Sequence, residues 1–264
     1  MKKTIRKYYL SLFYIATLVF SFILLTLHFV FPSVGDFSVS FTQLAPAFGV
    51  ILIALILKDK KILTDMKHQI FINKNFAKWL IPTIAIPSIC IVISSFIMTY
   101  YKTDYVNWKG NLSFYILNAV AIFIGCVAEE IGWRGFALPR LTPKFGLAIS
   151  TFILGLIWAG WHLPLFFVKG SNTFGQSFPL YLLQVTALSV AIGWLYWRTG
   201  GSLLLTMLMH AAVNNTKDIV PSAVAGDTNP YTWSASLPAW LTLGLLWLFA
   251  IYFLYDMRGI KKLK

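Results

Sequence analysis

Residues 8–31 read YYLSLFYIATLVFSFILLTLHFVF, an almost unbroken apolar run of 24 residues. A transmembrane helix needs about 20 such residues. Four basic residues precede the run, as they do in a signal peptide. The run is nevertheless too long for the apolar core of a signal peptide, and no cleavage site of the small-x-small type follows it. The stretch therefore predicts an uncleaved first membrane span.

Further apolar segments follow along the chain of 264 residues. With the first, they give eight candidate spans: 8–31, 41–57, 79–101, 112–131, 146–168, 179–197, 201–217 and 237–255. The segments between them are too short for a separate soluble domain. The sequence therefore predicts an all-α fold, a polytopic membrane helical bundle of about eight transmembrane helices, with residues 1–264 forming a single integral membrane domain.

The charge distribution predicts the orientation of this bundle. The chain is 58% hydrophobic and only 12% charged, whereas soluble proteins carry about 25% charged residues. If the N-terminus is cytoplasmic, 18 of the 22 Lys and Arg residues lie in cytoplasmic segments. This asymmetry predicts a plasma-membrane protein with both termini in the cytoplasm. It also accounts for the net charge of +13, so we expect no nucleic acid partner.

The longest cytoplasmic segment, 58–78, is basic but contains several apolar residues. A solvated loop that fixes the topology is the favoured interpretation. The alternative is an interfacial helix that lies on the anionic leaflet. The two cysteines, Cys90 and Cys126, both fall in apolar segments, and this spacing predicts neither a disulfide framework nor a CxxC metal site.

Two adjacent glutamates, Glu129 and Glu130, end the apolar segment 112–131, and they are the only glutamates in the chain. An acidic residue at the centre of a membrane helix costs about 2.5–3.5 kcal/mol and usually marks a functional site. Glu130 and Arg134 have the i, i+4 spacing of a favourable helical ion pair. Glu129 points about 100° away around the helix, which makes it the better candidate for a reactive carboxylate. Pro139 is predicted to end this helix.

A second polar position lies in the segment 146–168. Trp158 and His162 are one helical turn apart, so the indole can pack against the imidazole. Pro164 has no N–H group to donate to the carbonyl of Gly160. The pattern predicts a kinked helix with a free carbonyl beside a ring nitrogen.

A third polar position lies in the segment 201–217, where His210 and Asn214 share one face of the helix. An isolated histidine in a membrane helix often makes a hydrogen bond between helices and nothing more. His28 and His68 lie outside these patterns and are interpreted as incidental.

Taken together, Glu129, His162, His210 and Asn214 suffice to activate a water molecule and to stabilise an oxyanion. Alternatively, Glu129, His162 and His210 form a recognised zinc ligand set. The chain has no HExxH motif. Because His162 lies further from the cytoplasmic face than His210, the helices have to tilt or kink to bring these groups together.

Three motifs carry a resemblance to a known family: Glu129-Glu130-x-x-Trp133-Arg134-Gly135, Trp158-x-x-x-His162 and His210-x-x-x-Asn214. In this order, within residues 129–214, they resemble the CPBP intramembrane proteases. This family contains the CAAX prenyl proteases of the Rce1 type and the bacteriocin-processing enzymes, and it is also called the Abi family. Its eight-helix architecture matches the eight candidate spans.

The resemblance also implies roles for the residues. Glu129 is the implied general base, His162 positions the water, and His210 and Asn214 form the oxyanion site. Glu130 and Arg134 are implied to be structural or to orient the substrate. Trp158 departs from the family, where this position is often Phe, and we expect it to alter only the shape of the pocket. With no HExxH motif and with an amide at Asn214, a metal-free site is favoured over a zinc site.

The sequence thus predicts an intramembrane endopeptidase that uses a glutamate-activated water to cleave a membrane-associated peptide or protein near the cytoplasmic leaflet. One alternative is a non-enzymatic membrane protein for bacteriocin self-immunity or binding. Another is a proton-coupled transporter that uses Glu129 and Glu130, but the chain shows no inverted repeat. The resemblance does not identify the substrate.

Overall fold

The computed structural model describes residues 8–31, 39–70, 76–85, 112–169, 171, 173–219 and 237–263. Within these ranges the fold is all-helical and contains no strand. The helices are α1 Tyr9–Val30, α2 Ala45–Ile56, α3 Lys60–Ile70, α4 Phe76–Ala85, α5 Leu112–Glu130, α6 Leu138–Phe145, α7 Leu147–His162, α8 Phe178–Arg198, α9 Leu203–Ile219 and α10 Leu237–Asp256.

Four helical stretches of the described residues are long and apolar enough to cross a membrane: Tyr9–Val30, Val39–Ile56, Leu147–Phe167 and Phe178–Arg198. The second and third stretches are longer than α2 and α7 because they include the adjoining 3-10 turns. The four stretches coincide with four of the predicted spans, and the predicted class of polytopic membrane helical bundle is confirmed. The predicted spans 112–131, 201–217 and 237–255 also coincide with helices. The predicted span 79–101 lies mostly outside the described residues, so the total of eight spans stays a prediction.

A π-helical segment, Ile131–Ala137, joins α5 to α6 without a break. The amide of Leu138 donates to the carbonyl of Trp133, five residues earlier. The prediction that Pro139 ends this helix is wrong. Pro139 lies directly after this π-helical segment, in the first turn of α6, and the helix continues through it. The helix ends at Gly146, whose φ of 78° few other residues adopt.

The π-helical segment lies at the centre of the packing. Residues 132–137 are all buried, and the Phe13 ring of α1 packs edge-on against Trp133 with 5.5 Å between ring centroids. A Cβ atom on Gly132 would lie 2.4 Å from the Cβ of Pro46 in α2, so only glycine allows these two helices to approach so closely. The buried aromatic contacts hold this unusual turn in place.

The segment Lys60–Ile70 is helical, and the interpretation of 58–78 as a solvated loop is wrong for these residues. Ile62 and Met66, one turn apart, are buried against the bundle. Their burial also means that this face of α3 is covered by protein. Residues 71–75 lie outside the described residues.

Helix α7 packs along α8, and α5 packs along α9. The close contact between α7 and α8 depends on Gly155, where a Cβ atom would lie 2.7 Å from the Cα of Thr186 and 2.9 Å from the Cβ of Ser189. Nearby, Ser189 donates a 2.9 Å hydrogen bond to the carbonyl of Thr151. The two helices therefore meet almost backbone to backbone.

We expect Gly155→Ala to lower the free energy of unfolding by about 1–3 kcal/mol, because the added methyl group overpacks the contact between α7 and α8. Gly160→Ala is the matched control on the same helix, since a Cβ atom there meets nothing within 4 Å. Alanine at Gly160 should leave stability unchanged or raise it by up to about 1 kcal/mol. Thermal unfolding of the purified proteins in detergent measures both, and equal melting temperatures would contradict this packing.

Candidate active site

The three predicted motifs meet where the end of α5, the end of α7 and the middle of α9 come together. Side-chain hydrogen bonds join Glu129 to Trp158, and Glu130 to both Arg134 and His210. All five of these side chains are buried. The helices thus bring together groups that lie up to 81 positions apart in the sequence, counted from Glu129 to His210.

One carboxylate oxygen of Glu130 contacts two different side chains. Its Oε1 accepts a 2.8 Å hydrogen bond from Nη1 of Arg134, which is the ion pair that the i, i+4 spacing predicts. The same oxygen lies 3.0 Å from Nδ1 of His210 in α9. Neither Glu130 nor Arg134 has any exposed surface. Glu130 therefore links two helices and has little room to meet a substrate.

Glu129 faces a different partner. Its Oε2 accepts a 2.6 Å hydrogen bond from the indole Nε1 of Trp158 in α7. The guanidinium of Arg134 stacks over the same indole, with 4.6 Å from Cζ to the ring centroid. This donor is not predictable from the sequence, because nothing in the sequence shows which way a side chain points across two helices.

His162, the last residue of α7, is bonded to its own helix. Its Nδ1 lies 2.9 Å from the carbonyl oxygen of Trp158, which can only accept, so Nδ1 carries the proton and a neutral ring presents Nε2 as an acceptor. The ring also packs against Trp161 and Tyr181, with centroids 4.6 and 5.4 Å away. Tyr181 carries no motif in the sequence that marks it as part of this site.

The chain breaks from the α-helix after His162 and continues as the 3-10 helix Leu163–Phe167, as Pro164 predicts. The carbonyl of Gly160, however, is not free, because it accepts the amide of Leu163 in the tighter turn. The prediction of a free carbonyl at this place is wrong. In a 3-10 turn a carbonyl accepts from the amide three residues later, not four. The amide of Leu163 therefore replaces the missing amide of Pro164.

Helix α9 supplies His210 and Asn214 to the same region. Nδ1 of His210 faces the Glu130 carboxylate, so Nδ1 is the donor and Nε2 points to the other side of the ring. The amide of Asn214 donates to Sγ of Cys126, 3.7 Å away, and Cys126 also lies beside His210. The i, i+4 spacing of Cys126 and Glu130 is the signal that places this thiol on the same face of α5.

The difference in depth between His162 and His210 is bridged by an aromatic ring. The Trp158 indole lies one turn before His162, and it meets the His210 ring edge-on at 5.0 Å between centroids. The Trp158 and His162 rings are 6.2 Å apart and tilted, so the predicted packing of indole against imidazole is present but loose. The site is thus centred on Trp158, with His162 at one border.

The zinc alternative requires Glu129, His162 and His210 around one point. Among the described residues, no three His, Cys, Asp or Glu side chains are gathered as a metal ion needs. The side chains as arranged do not fit a three-ligand zinc site, and we derive no step through a metal.

Comparison with known proteins agrees with the resemblance that the three motifs carry. Residues 111–216 match the family model of the type II CAAX prenyl endopeptidases, Rce1-like. The chain is also 24% identical, over 241 residues, to CAAX prenyl protease 2 of the archaeon Methanococcus maripaludis. That alignment covers 84% of this chain and 88% of the archaeal protein. The predicted family resemblance is confirmed.

We expect Glu130→Gln to lower the free energy of unfolding by about 3–5 kcal/mol, because it leaves the Arg134 charge buried without its partner. A second change, Arg134→Met, should recover part of this loss by removing the stranded charge. Chemical unfolding of the single and double variants in detergent gives the coupling energy between the two residues.

The control is the ion pair between Arg198 and Asp256, whose side chains are 39% and 22% exposed. Asp256→Asn breaks that pair, and its cost should be clearly smaller because solvent screens exposed charges. The prediction is contradicted if Glu130→Gln and Asp256→Asn lower the free energy of unfolding equally. It is also contradicted if Arg134→Met does not restore any of the stability that Glu130→Gln loses.

Proposed function

We propose that this multi-pass membrane protein is an intramembrane endopeptidase with Glu129 as general base, because residues 111–216 match the family model of the Rce1-like type II CAAX prenyl endopeptidases. One observation carries the assignment of the base. Of the two adjacent glutamates, Glu130 is paired to Arg134 and His210. Within the part of the chain that the structure describes, no cation is bonded to Glu129, which accepts from the neutral N–H group of Trp158. A carboxylate held in this way keeps its capacity to accept a proton.

The proposed reaction begins at Oε1 of Glu129, the oxygen that Trp158 does not contact. Oε1 accepts a proton from water, and the water oxygen attacks the carbonyl carbon of the peptide bond. His162 helps to position this water. The C–N bond then breaks, and the proton on Glu129 passes to the departing amine.

The oxygen of the tetrahedral intermediate takes up negative charge and needs donors. We assign this task to Nε2 of His210 and to the amide of Asn214. Since Nδ1 of His210 already faces Glu130, the ring must carry a second proton to donate from Nε2, and the Glu130 carboxylate stabilises that cation. The loss of one such donor commonly costs a factor of about 10²–10³ in rate.

The substrate class follows from the family and from the location of the site. The curated relative is a CAAX prenyl protease by name, and we propose a membrane-associated peptide or protein as the substrate of this chain. A prenylated CAAX peptide is therefore the first substrate to assay, followed by peptides without a lipid. Cleavage near the cytoplasmic leaflet is part of the proposal.

The test compares wild type with Glu129→Gln, each purified in detergent. Glutamine keeps the volume and the oxygen that accepts the Trp158 N–H group, but it cannot serve as base. We expect the cleavage rate to fall by about 10²–10⁴-fold while the melting temperature hardly changes. Asp256→Asn is the matched control, because that carboxylate also accepts an indole N–H group, from Trp194. It should retain wild-type turnover.

The metal content of the same samples is measured in parallel. Cleavage without stoichiometric metal, lost in Glu129→Gln, supports the proposal. Cleavage that follows zinc content and disappears on chelation would assign Glu129 to metal binding. Wild-type turnover in Glu129→Gln would overturn the general-base role. If no peptide is cleaved and a partner is captured, the binding or self-immunity function takes precedence.

We further propose that both termini lie in the cytoplasm. The distribution of Lys and Arg supports this orientation. A green fluorescent protein fused after residue 264 should fluoresce, and alkaline phosphatase fused after Lys169, in the predicted external segment, should be active. The opposite pattern at both positions would reverse the orientation, and with it the leaflet at which the site lies.

A further inference from the structure

The Trp158 side chain contacts three other residues of the candidate site: Glu129, Arg134 and His210. Its indole N–H donates to Glu129, the Arg134 guanidinium lies over its ring, and the indole and the His210 ring form a T-shaped pair. Its main-chain carbonyl accepts from Nδ1 of His162. One residue thus links the proposed base, the buried ion pair and both histidines.

The hydrogen bond between Trp158 and Glu129 is short and shielded from solvent. The N···O distance is 2.6 Å, just below the usual range of about 2.7–3.2 Å for an N–H donor and an oxygen acceptor. Trp158 is 2% exposed and Glu129 is 4% exposed. In such a poorly hydrated place a hydrogen bond is electrostatically stronger than it is in water. A phenylalanine at this position has no N–H group and makes no such bond.

The direction of this N–H group is fixed by the contacts around the ring. An indole has one N–H group in the plane of a rigid ring, and here the guanidinium covers one face while the His210 ring meets the indole edge-on. A carboxylate bonded at Oε2 can no longer turn freely about its last bond. The remaining oxygen, Oε1, is thereby held in one direction.

We propose that Trp158 is a positioning residue for the hydrolytic reaction: its indole N–H fixes the Glu129 carboxylate so that Oε1 faces the attacking water. The inference rests on the proposed function and extends it to a residue outside the catalytic set. It also replaces the expectation that Trp158 differs from phenylalanine only in the shape of the pocket. Substitution of Trp158 by phenylalanine keeps an aromatic ring at this position but removes the indole N–H donor.

The kinetic test uses Trp158→Phe beside Trp194→Phe. Trp194 is the matched control, because its indole N–H donates to the Asp256 carboxylate over 2.7 Å, away from the candidate site residues. We expect Trp158→Phe to lower kcat by about 10- to 100-fold with little change in KM, the size expected for a lost hydrogen bond to a charged group. Trp194→Phe should lose only stability.

An isosteric tryptophan analogue with sulfur in place of the N–H group, introduced at residue 158, separates the donor from the shape of the ring. If kcat is as low as in Trp158→Phe, the donor is responsible, as proposed. If the analogue restores wild-type kcat, or if Trp158→Phe is fully active, the positioning role is overturned. Melting temperatures of all variants identify any that fail to fold, and the analogue provides the decisive comparison in that case.

A second readout needs no turnover. In a ¹H–¹⁵N spectrum, the indole resonance of Trp158 is identified by its absence from the spectrum of Trp158→Phe. We expect Glu129→Gln to shift this resonance, because a carboxamide is a weaker hydrogen-bond acceptor than a carboxylate. Asp256→Asn should move the Trp194 resonance in the same way, which shows that the method works. If the Trp158 resonance stays in place in Glu129→Gln, the inference fails even in an active enzyme. If it moves but no peptide is cleaved, only the proposed function fails.

Discussion

The buried ion pair between Glu130 and Arg134 is the constraint around which the site is arranged. Both side chains are fully buried, so neither charge is stabilised by water and each depends on its protein partners. The partners come from three helical segments: Arg134 from the π-helical turn, His210 from α9 and the Trp158 ring from α7. Satisfying this one pair therefore fixes the relative positions of the helices that carry the motifs.

Such a pair contributes little net stability. The desolvation of two charges usually consumes most of their attraction. Among the described residues, Oε2 of Glu130 and Nε and Nη2 of Arg134 also have no hydrogen-bond partner. An apolar pair of similar volume would pack here at lower cost. The value of the charges therefore lies in orientation, since the Glu130 carboxylate fixes which nitrogen of His210 faces it and which lies on the other side of the ring.

The sequence was sufficient for the class of fold and for the buried ion pair of the candidate site. Apolar segments of spanning length need no tertiary information, and the pairing of Glu130 with Arg134 follows from helical spacing alone. Two of the errors lie where backbone hydrogen bonding departs from the α-helix. Pro139 follows a π-helical turn and Gly160 precedes a 3-10 turn, and each alternative pattern satisfies groups that an α-helix would leave unpaired.

Contacts between helices mark the other limit of prediction. The spacing placed Trp158 one turn from His162, but the direction of its N–H group depends on how α7 packs against α5. A carboxylate that is 4% exposed needs a donor close by, and in this chain Trp158 is that donor. If phenylalanine replaces Trp158, the donor has to come from another side chain, a backbone amide or a bound water. Residue 158 and the groups around Glu129 are therefore expected to change together, because an exchange of one alone leaves a buried carboxylate without the bond that orients it.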